Sequence, residues 1–299
     1  QLKALVTGSI ASLGSHFVLA IEAINAQTGD VMAREQIEVA RREEILSALG
    51  QTIARLREKL GESLSSVQRF DVPLARATTS SLDALHSYSM ALDQGRLNYR
   101  LEAIPHLRRA LELDANFALA LAQMATVYSN TGESALAAEY ARKAFELRDR
   151  VSERERFVVA YRYYRDAAQD LEQAAETARL WTDTYPREAI AFNSLGASYI
   201  SLGRPDDALR ALRRAIELDP KFSPPYGNLA AVLMTLGRID DARGVLAEAA
   251  GTPLESATTR RISYLIAVLE GNREAATQLF NASIGLGQTN AAYGWEART

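Results

Sequence analysis

The chain has 299 residues, 47% of them hydrophobic and 24% charged, with 34 Lys and Arg set against 37 Asp and Glu for a net charge of −3. These values lie in the ordinary globular range, and a pI near 5.8 argues against a nucleic-acid partner, which requires clustered cations to neutralise phosphates. There is no cysteine, so disulfides, thiolate metal sites and Cys nucleophiles are excluded. No apolar run approaches the roughly 20 residues that span a bilayer, and no signal peptide opens the chain. It begins at Gln1 inside a strand-like pattern and reads as part of a longer polypeptide.

Residues 1–62 predict a small, partial α/β module. "KALVTGSIA" and "HFVLAIEAIN", separated around Gly14 and Ser15, are short and rich in β-branched and apolar residues, and "VMAREQIEVA" follows the turn sequence "NAQTGD". An antiparallel meander is the simplest arrangement. In "EEILSALGQTIARLREKLGE", Ile45, Leu49, Ile53, Leu56 and Leu60 recur at helical spacing, which predicts a helix covering one face of the sheet. A core this small is marginal and gains from packing on whatever comes next. Residues 63–80 are polar, contain Pro73, and read as a linker.

From residue 81 to 290 the chain repeats itself. Units of 34 residues start at Ala84, Ala118, Glu155, Ala189, Ser223 and Ala257, with three extra residues around "RDRVSE" before the third. Position 20 of each unit is alanine: Ala103, Ala137, Ala174, Ala208, Ala242 and Ala276. Position 8 is small at Ala91, Ala125, Gly196 and Ala230 but not at Arg162 or Tyr264. Position 15 is Gly132, Gly203, Gly237 and Gly271 in four units. Small residues fit where two antiparallel helices approach most closely, and glycine suits the turn that ends the first helix. Leu107, Leu212, Leu246 and Phe280 at position 24 are expected to fill the space between units, since no unit can bury its apolar face alone. Ser152 with Glu155 and Ser80 with Asp83 form capping-box patterns, Ser223–Pro224 reads as a cap with an N1 proline, and Pro186 and Pro220 fall between units. In the third unit "VVAYRYYRD" replaces small residues by aromatics, so a repacked or bent interface is expected there. Residues 291–299, "AAYGWEART", read as the start of a further unit, whose Tyr293 and Trp295 would offer an apolar edge for self-association.

This period and pattern resemble the tetratricopeptide repeat family. The resemblance implies a mainly α superhelix of about six helical hairpins and a role in binding protein or peptide rather than catalysis. A second resemblance lies in "ALVTGSIASLGSHFVLAIEAINAQTGDVMAREQIEVA" and the stretches "LREKLGESLSSVQRFD" and "ATTSSLDALHSYS". These are similar to a bacterial architecture in which a TolB-like module and a repeat array follow a serine/threonine kinase-like or winged-helix domain. That resemblance implies a sensory or scaffolding segment and carries over no catalytic residue.

The residues themselves point to no chemistry. "GSIASLGS" lacks the ending of a phosphate-binding loop, and His16, His86 and His106 fall in different elements without metal-ligand spacing. Asp206–Asp207 and Asp240–Asp241 recur with the repeat at the start of second helices, where they favour the positive end of the helix dipole. No catalytic, cofactor or metal site is therefore expected. In the family, first-helix positions 2, 5, 6, 9, 12 and 13 line the inner wall, and here they include Tyr88, Gln123, Asn130, Tyr163, Asn193, Asn228 and Arg261. Amides on such a wall can both donate to and accept from a ligand's backbone. Asn228 falls on one position of the family's carboxylate clamp, but Ala197, Thr258 and Ile262 occupy others, so no clamp is expected. An extended peptide or partner helix fits better, and alanine at Asn193 and Asn228 is expected to weaken capture without changing melting.

Overall fold

The computed structural model describes residues 4–62, 78–96 and 101–285. Most of the linker, the further unit at 291–299, and Tyr293 and Trp295 lie outside the described residues.

Strands β1 (Ala4–Leu13), β2 (His16–Asn25) and β3 (Val31–Val39) form an antiparallel meander in the order β1-β2-β3. The β1–β2 hairpin is closed at Leu13↔His16 by a turn through Gly14, whose φ of 63° lies in the left-handed region that favours glycine. Helix α1 (Ile45–Lys59) crosses β2 and β3, and its Ile45, Ala48 and Leu56 pack on Leu19, Ile21, Ala23, Ala33 and Val39. Two expectations change here. Ile53 and Leu60 lie at the exposed flank of the helix, and Leu46 and Thr52 take the buried positions, because the helix sits toward β3 and turns a different stripe inward. It therefore leaves β1 uncovered: Val6 and Ile10 stand opposite Ala23 and Leu19 but remain more than half exposed. The module leans on the array through Leu82, which packs on its core cluster, and through an Arg42–Asp83 ion pair at 2.5 Å.

The array consists of paired helices: α2 (Leu82–Arg96) with α3 (Ala103–Leu113), α4 (Ala118–Thr131) with α5 (Ser134–Glu146), and α6 (Glu153–Arg162) with α7 (Leu171–Thr184). Then follow α8 (Ala189–Ser201) with α9 (Pro205–Leu218), α10 (Pro224–Thr235) with α11 (Ile239–Ala249), and α12 (Ala257–Leu269) with α13 (Arg273–Gly285). From α3 onward, each second helix also packs on the first helix of the following pair. The six alanines at position 20 are all buried, from 0% exposed at Ala103 to 8% at Ala276. Gly196 shows how tight the seam is: a Cβ there would stand 2.6 Å from Leu212 Cγ. Leu107 and Leu212 at position 24 are fully buried.

Helix ends follow local chemistry. Ser152 and Glu155 make a complete capping box, placed after a 3₁₀ turn (Arg148–Arg150) that absorbs the three extra residues. At α2 the cap is Ser81, one residue later than expected, with Oγ accepting from the Ala84 N–H at 3.2 Å. Ser223 stands at the expected start of α10 but its hydroxyl donates to the Leu254 carbonyl at 2.6 Å, tying the start of its unit to the loop at its end instead of capping. The Asp pairs lie in the first turns of α9 and α11, where Asp207 is engaged by Arg204 and Arg210, Asp241 by Arg238 and Asp240 by Arg243.

Among the described residues, the turn after the first helix takes a left-handed residue in five units. Gly132, Gly203, Gly237 and Gly271 adopt φ values of 87°, 66°, 72° and 69°. The third unit has Gln169 at this position, and it takes the same conformation with φ 55°, alone among described non-glycine residues. A side chain in this region costs on the order of 1 kcal/mol. Upstream of it the first helix widens into a π-helical turn, Tyr163–Ala167. Tyr161, in the regular helix before that turn and at position 7 like the buried Met124, Leu195 and Leu229, lies in the core beside Ala174, Ala178 and Leu195, with its hydroxyl donating to the Ser194 carbonyl at 3.2 Å. The partner helix accommodates the same unit with Trp181, fully buried, whose indole N–H donates to Glu188 at 2.8 Å.

Gly203→Ala should lower stability by about 1 kcal/mol because the space is open and only the backbone is strained, whereas Gln169→Gly should leave it unchanged or raise it. Urea denaturation distinguishes the two directions. Burial raises the Glu155 carboxyl above its ordinary value, so the folded chain holds that proton more tightly than the unfolded one. The penalty grows as pH rises and is relieved by acidification; Glu155→Gln should therefore gain on the parent in melting temperature at pH 7 relative to pH 5.

Candidate functional site

The first helices α4, α6, α8, α10 and α12 share one side of the array, where α4 touches α6, α8 touches α10, and α10 touches α12. Polar side chains bond across these junctions. Asn228 Nδ2 on α10 donates to Asn193 Oδ1 on α8 at 3.0 Å, and the Ser129 hydroxyl on α4 donates to Asp166 Oδ1 at 3.1 Å. On its other side α10 approaches α12 closely at Gly227, where a Cβ would come within 2.8 Å of Thr258. The amide pair uses one donor and one acceptor, and leaves Asn193 Nδ2 and Asn228 Oδ1 for a further partner.

The remaining expected wall residues are not gathered into one constellation. Gln123 is half-buried and Asn130 exposed on α4. Tyr88 lies half-buried against Phe117, ring centroids 4.9 Å apart, and burial followed by the nearby Glu155 carboxylate pushes its phenol far above the ordinary range. Tyr163 stacks on Phe145 at 4.0 Å with the rings 9° from parallel, and Arg148 covers the same phenyl ring at 4.4 Å. Arg261 is half-buried and engaged within the chain. Apolar surface accompanies the amides: Ile190, Ile200 and Leu269, at positions 2, 12 and 13 of their helices, are 41%, 37% and 71% exposed.

A charge cluster in the third unit was not among the expected site residues. Asp166 on the π-helical turn is 6% exposed and faces two guanidinium groups, Arg162 Nη1 at 3.5 Å and Arg165 Nε at 3.5 Å. Its Oδ2 accepts no hydrogen bond. The sequence signal was Arg162 itself, an arginine at position 8 where four other units carry Ala or Gly. A shallow open cleft of about 270 Å³ lies between Phe192, Leu195 and Tyr199 on α8 and Asp207, Arg210 and Ala211 on α9. That is smaller than the roughly 300–1,000 Å³ usual for small-molecule sites. Among the described residues no three His, Asp or Glu side chains are grouped as a metal ion would need, and no helix is long and apolar enough to cross a membrane.

Tetratricopeptide-repeat models match residues 118–150, 162–223 and 199–252. The helical array is a tetratricopeptide-repeat superhelix, preceded by the three-stranded sheet and helix. No curated protein matches the sequence significantly. Among solved structures, a Rap protein complexed with competence and sporulation factor is similar at TM-score 0.53 and 17% identity, over 85% of this chain and 79% of that one. PilF of Pseudomonas aeruginosa gives TM-score 0.41 and 19% identity over 73% of this chain and 98% of that one. YrrB, described as having an unusual peptide-binding site, gives 0.40 and 21% over 64% and 97%. At these identities the likeness concerns the fold.

The bond between Asn193 and Asn228 corrects the expectation that their replacement leaves melting unchanged. Each single alanine should cost roughly 1 kcal/mol, and the pair should show a coupling of about 0.5–1.5 kcal/mol in a double-mutant cycle followed by chemical denaturation.

Proposed function

We propose that this chain is a non-catalytic interaction scaffold that holds an extended peptide or a partner helix on the face formed by its first helices. The observation that carries the proposal is the Asn193–Asn228 pair, flanked on α8 by exposed Ile190 and Ile200. A free amide donor and a free carbonyl acceptor match the two polar groups of a peptide unit, and the isoleucines offer apolar contact for its side chains. Ile190 and Ile200 are too exposed to matter much to folding, so they provide a clean test.

A random-peptide display selection on the whole chain should yield binders. Ile190→Ser with Ile200→Ser should weaken the selected peptides by about tenfold or more while leaving the melting temperature near the parent's, as read by fluorescence anisotropy and thermal melts. Unchanged affinity would remove this face from the proposal. A second reading, in which these residues are the sensory segment of a bacterial serine/threonine kinase or winged-helix regulator, rests on the resemblance of the sequence stretches 4–40, 56–71 and 77–89. It is tested by assaying phosphotransfer and DNA binding with the product of the complete reading frame.

A further inference from the structure

We infer that Arg162 and Arg165 form a receptor for a single carboxylate of the bound peptide. The inference rests on the peptide-scaffold reading above and adds the ligand's chemistry. Two guanidinium groups share one carboxylate, so the cluster carries an excess charge of +1 in a setting mostly closed to water: the side chains of Arg162 and Arg165 are 16% and 32% exposed. Both ion pairs to Asp166 are 3.5 Å long, beyond the roughly 2.7–2.9 Å of a charge-assisted hydrogen bond. Arg165 also reaches the Ser129 hydroxyl at 3.5 Å. The groups acting on the Arg162 guanidinium are Arg165, Asp166 and Tyr161; burial and then the Arg165 charge hold it below its ordinary value. Burial works against the Arg165 guanidinium too, but Tyr161 and Asp166 hold it above its ordinary value, so the shortfall of counter-charge lies at the more buried Arg162 and is costly unless something else completes it.

Asp166 positions the pair without satisfying it. Its buried Oδ2 accepts no hydrogen bond, while Oδ1 is occupied by Ser129. Arg162, Arg165 and Asp166 share a face by their i, i+3 and i+4 spacing, and the helix there widens into a π-helical turn of the kind that often accompanies binding sites. A carboxylate suits the excess of one positive charge, whereas a phosphate at about −1.5 to −2 would overcompensate it. Forked guanidinium donors match the two oxygens of a carboxylate. Tyr163, stacked on Phe145 on the same turn, provides a flat apolar neighbour for the residue bearing the acid.

The test begins from the same random-peptide display library. Peptides selected on the parent chain should be enriched in Asp or Glu at one position, or share a requirement for a free C-terminus. Replacing that acid by its amide, or amidating the C-terminus, distinguishes the two sources and should weaken binding about tenfold or more. Arg165→Gln, the more exposed arginine, should abolish the acid preference while apolar peptides are still captured. Asp166→Asn removes the competing anion and should tighten acidic peptides several-fold, an effect that a purely structural Asp166 would not produce. Thermal melts confirm that both variants are folded. Binders without acid preference would overturn the carboxylate site and leave the scaffold reading standing; no binders at all would overturn both. An acid preference unchanged in both variants would also overturn the assignment to Arg162 and Arg165.

Discussion

The close contact of two helices at an alanine is the constraint on which the rest of the array depends. At position 20 the second helix meets the first, and every such alanine is closed to solvent. A larger side chain would force the pair apart, and because each second helix also packs on the next first helix, the displacement would pass along the stack. Gly196, with no room for a Cβ beside Leu212, is the same constraint at its limit.

The third unit shows how the array tolerates departure from its own rule. Arg162 replaces a small residue, the helix widens into a π-helical turn just after it, and Tyr161 fills the core at position 7. Trp181 then takes an alanine's place in the partner helix and finds an acceptor for its indole in Glu188. The left-handed turn survives without glycine, at Gln169. A buried, incompletely paired charge cluster is the local consequence. Natural sequences tend to break local rules where function compensates for the cost, which is the physical ground for looking at this unit first.

The first-helix face combines elements that are individually ordinary. Asn193 and Asn228 satisfy part of each other, which fixes both rotamers and orients the groups left over. Fixed polar groups beside exposed isoleucines lose less entropy on binding than freely rotating ones. The amino-terminal sheet contributes nothing to this face; it is joined to the array by Leu82 and the Arg42–Asp83 pair, with β1 at its uncovered edge.

The sequence by itself determined the hairpins and their phase, because helix turns, caps and close contacts are set by residue type at short range. The 34-residue recurrence of Ala103 through Ala276, the glycines at the left-handed turns and the Ser152–Glu155 box could all be read without coordinates. The meander was legible for the same reason, from alternation and turn residues. Which stripe of α1 is buried was not: Ile53 and Leu60 obey helical spacing, yet burial depends on where the helix lies over the sheet. The Asn193–Asn228 bond, Ser223 reaching Leu254, and the Arg162–Arg165–Asp166 cluster with Ser129 were decided only in three dimensions. Most of these contacts join residues about one repeat apart in sequence, and their geometry depends on how one unit is rotated against the next, a quantity that no local pattern encodes.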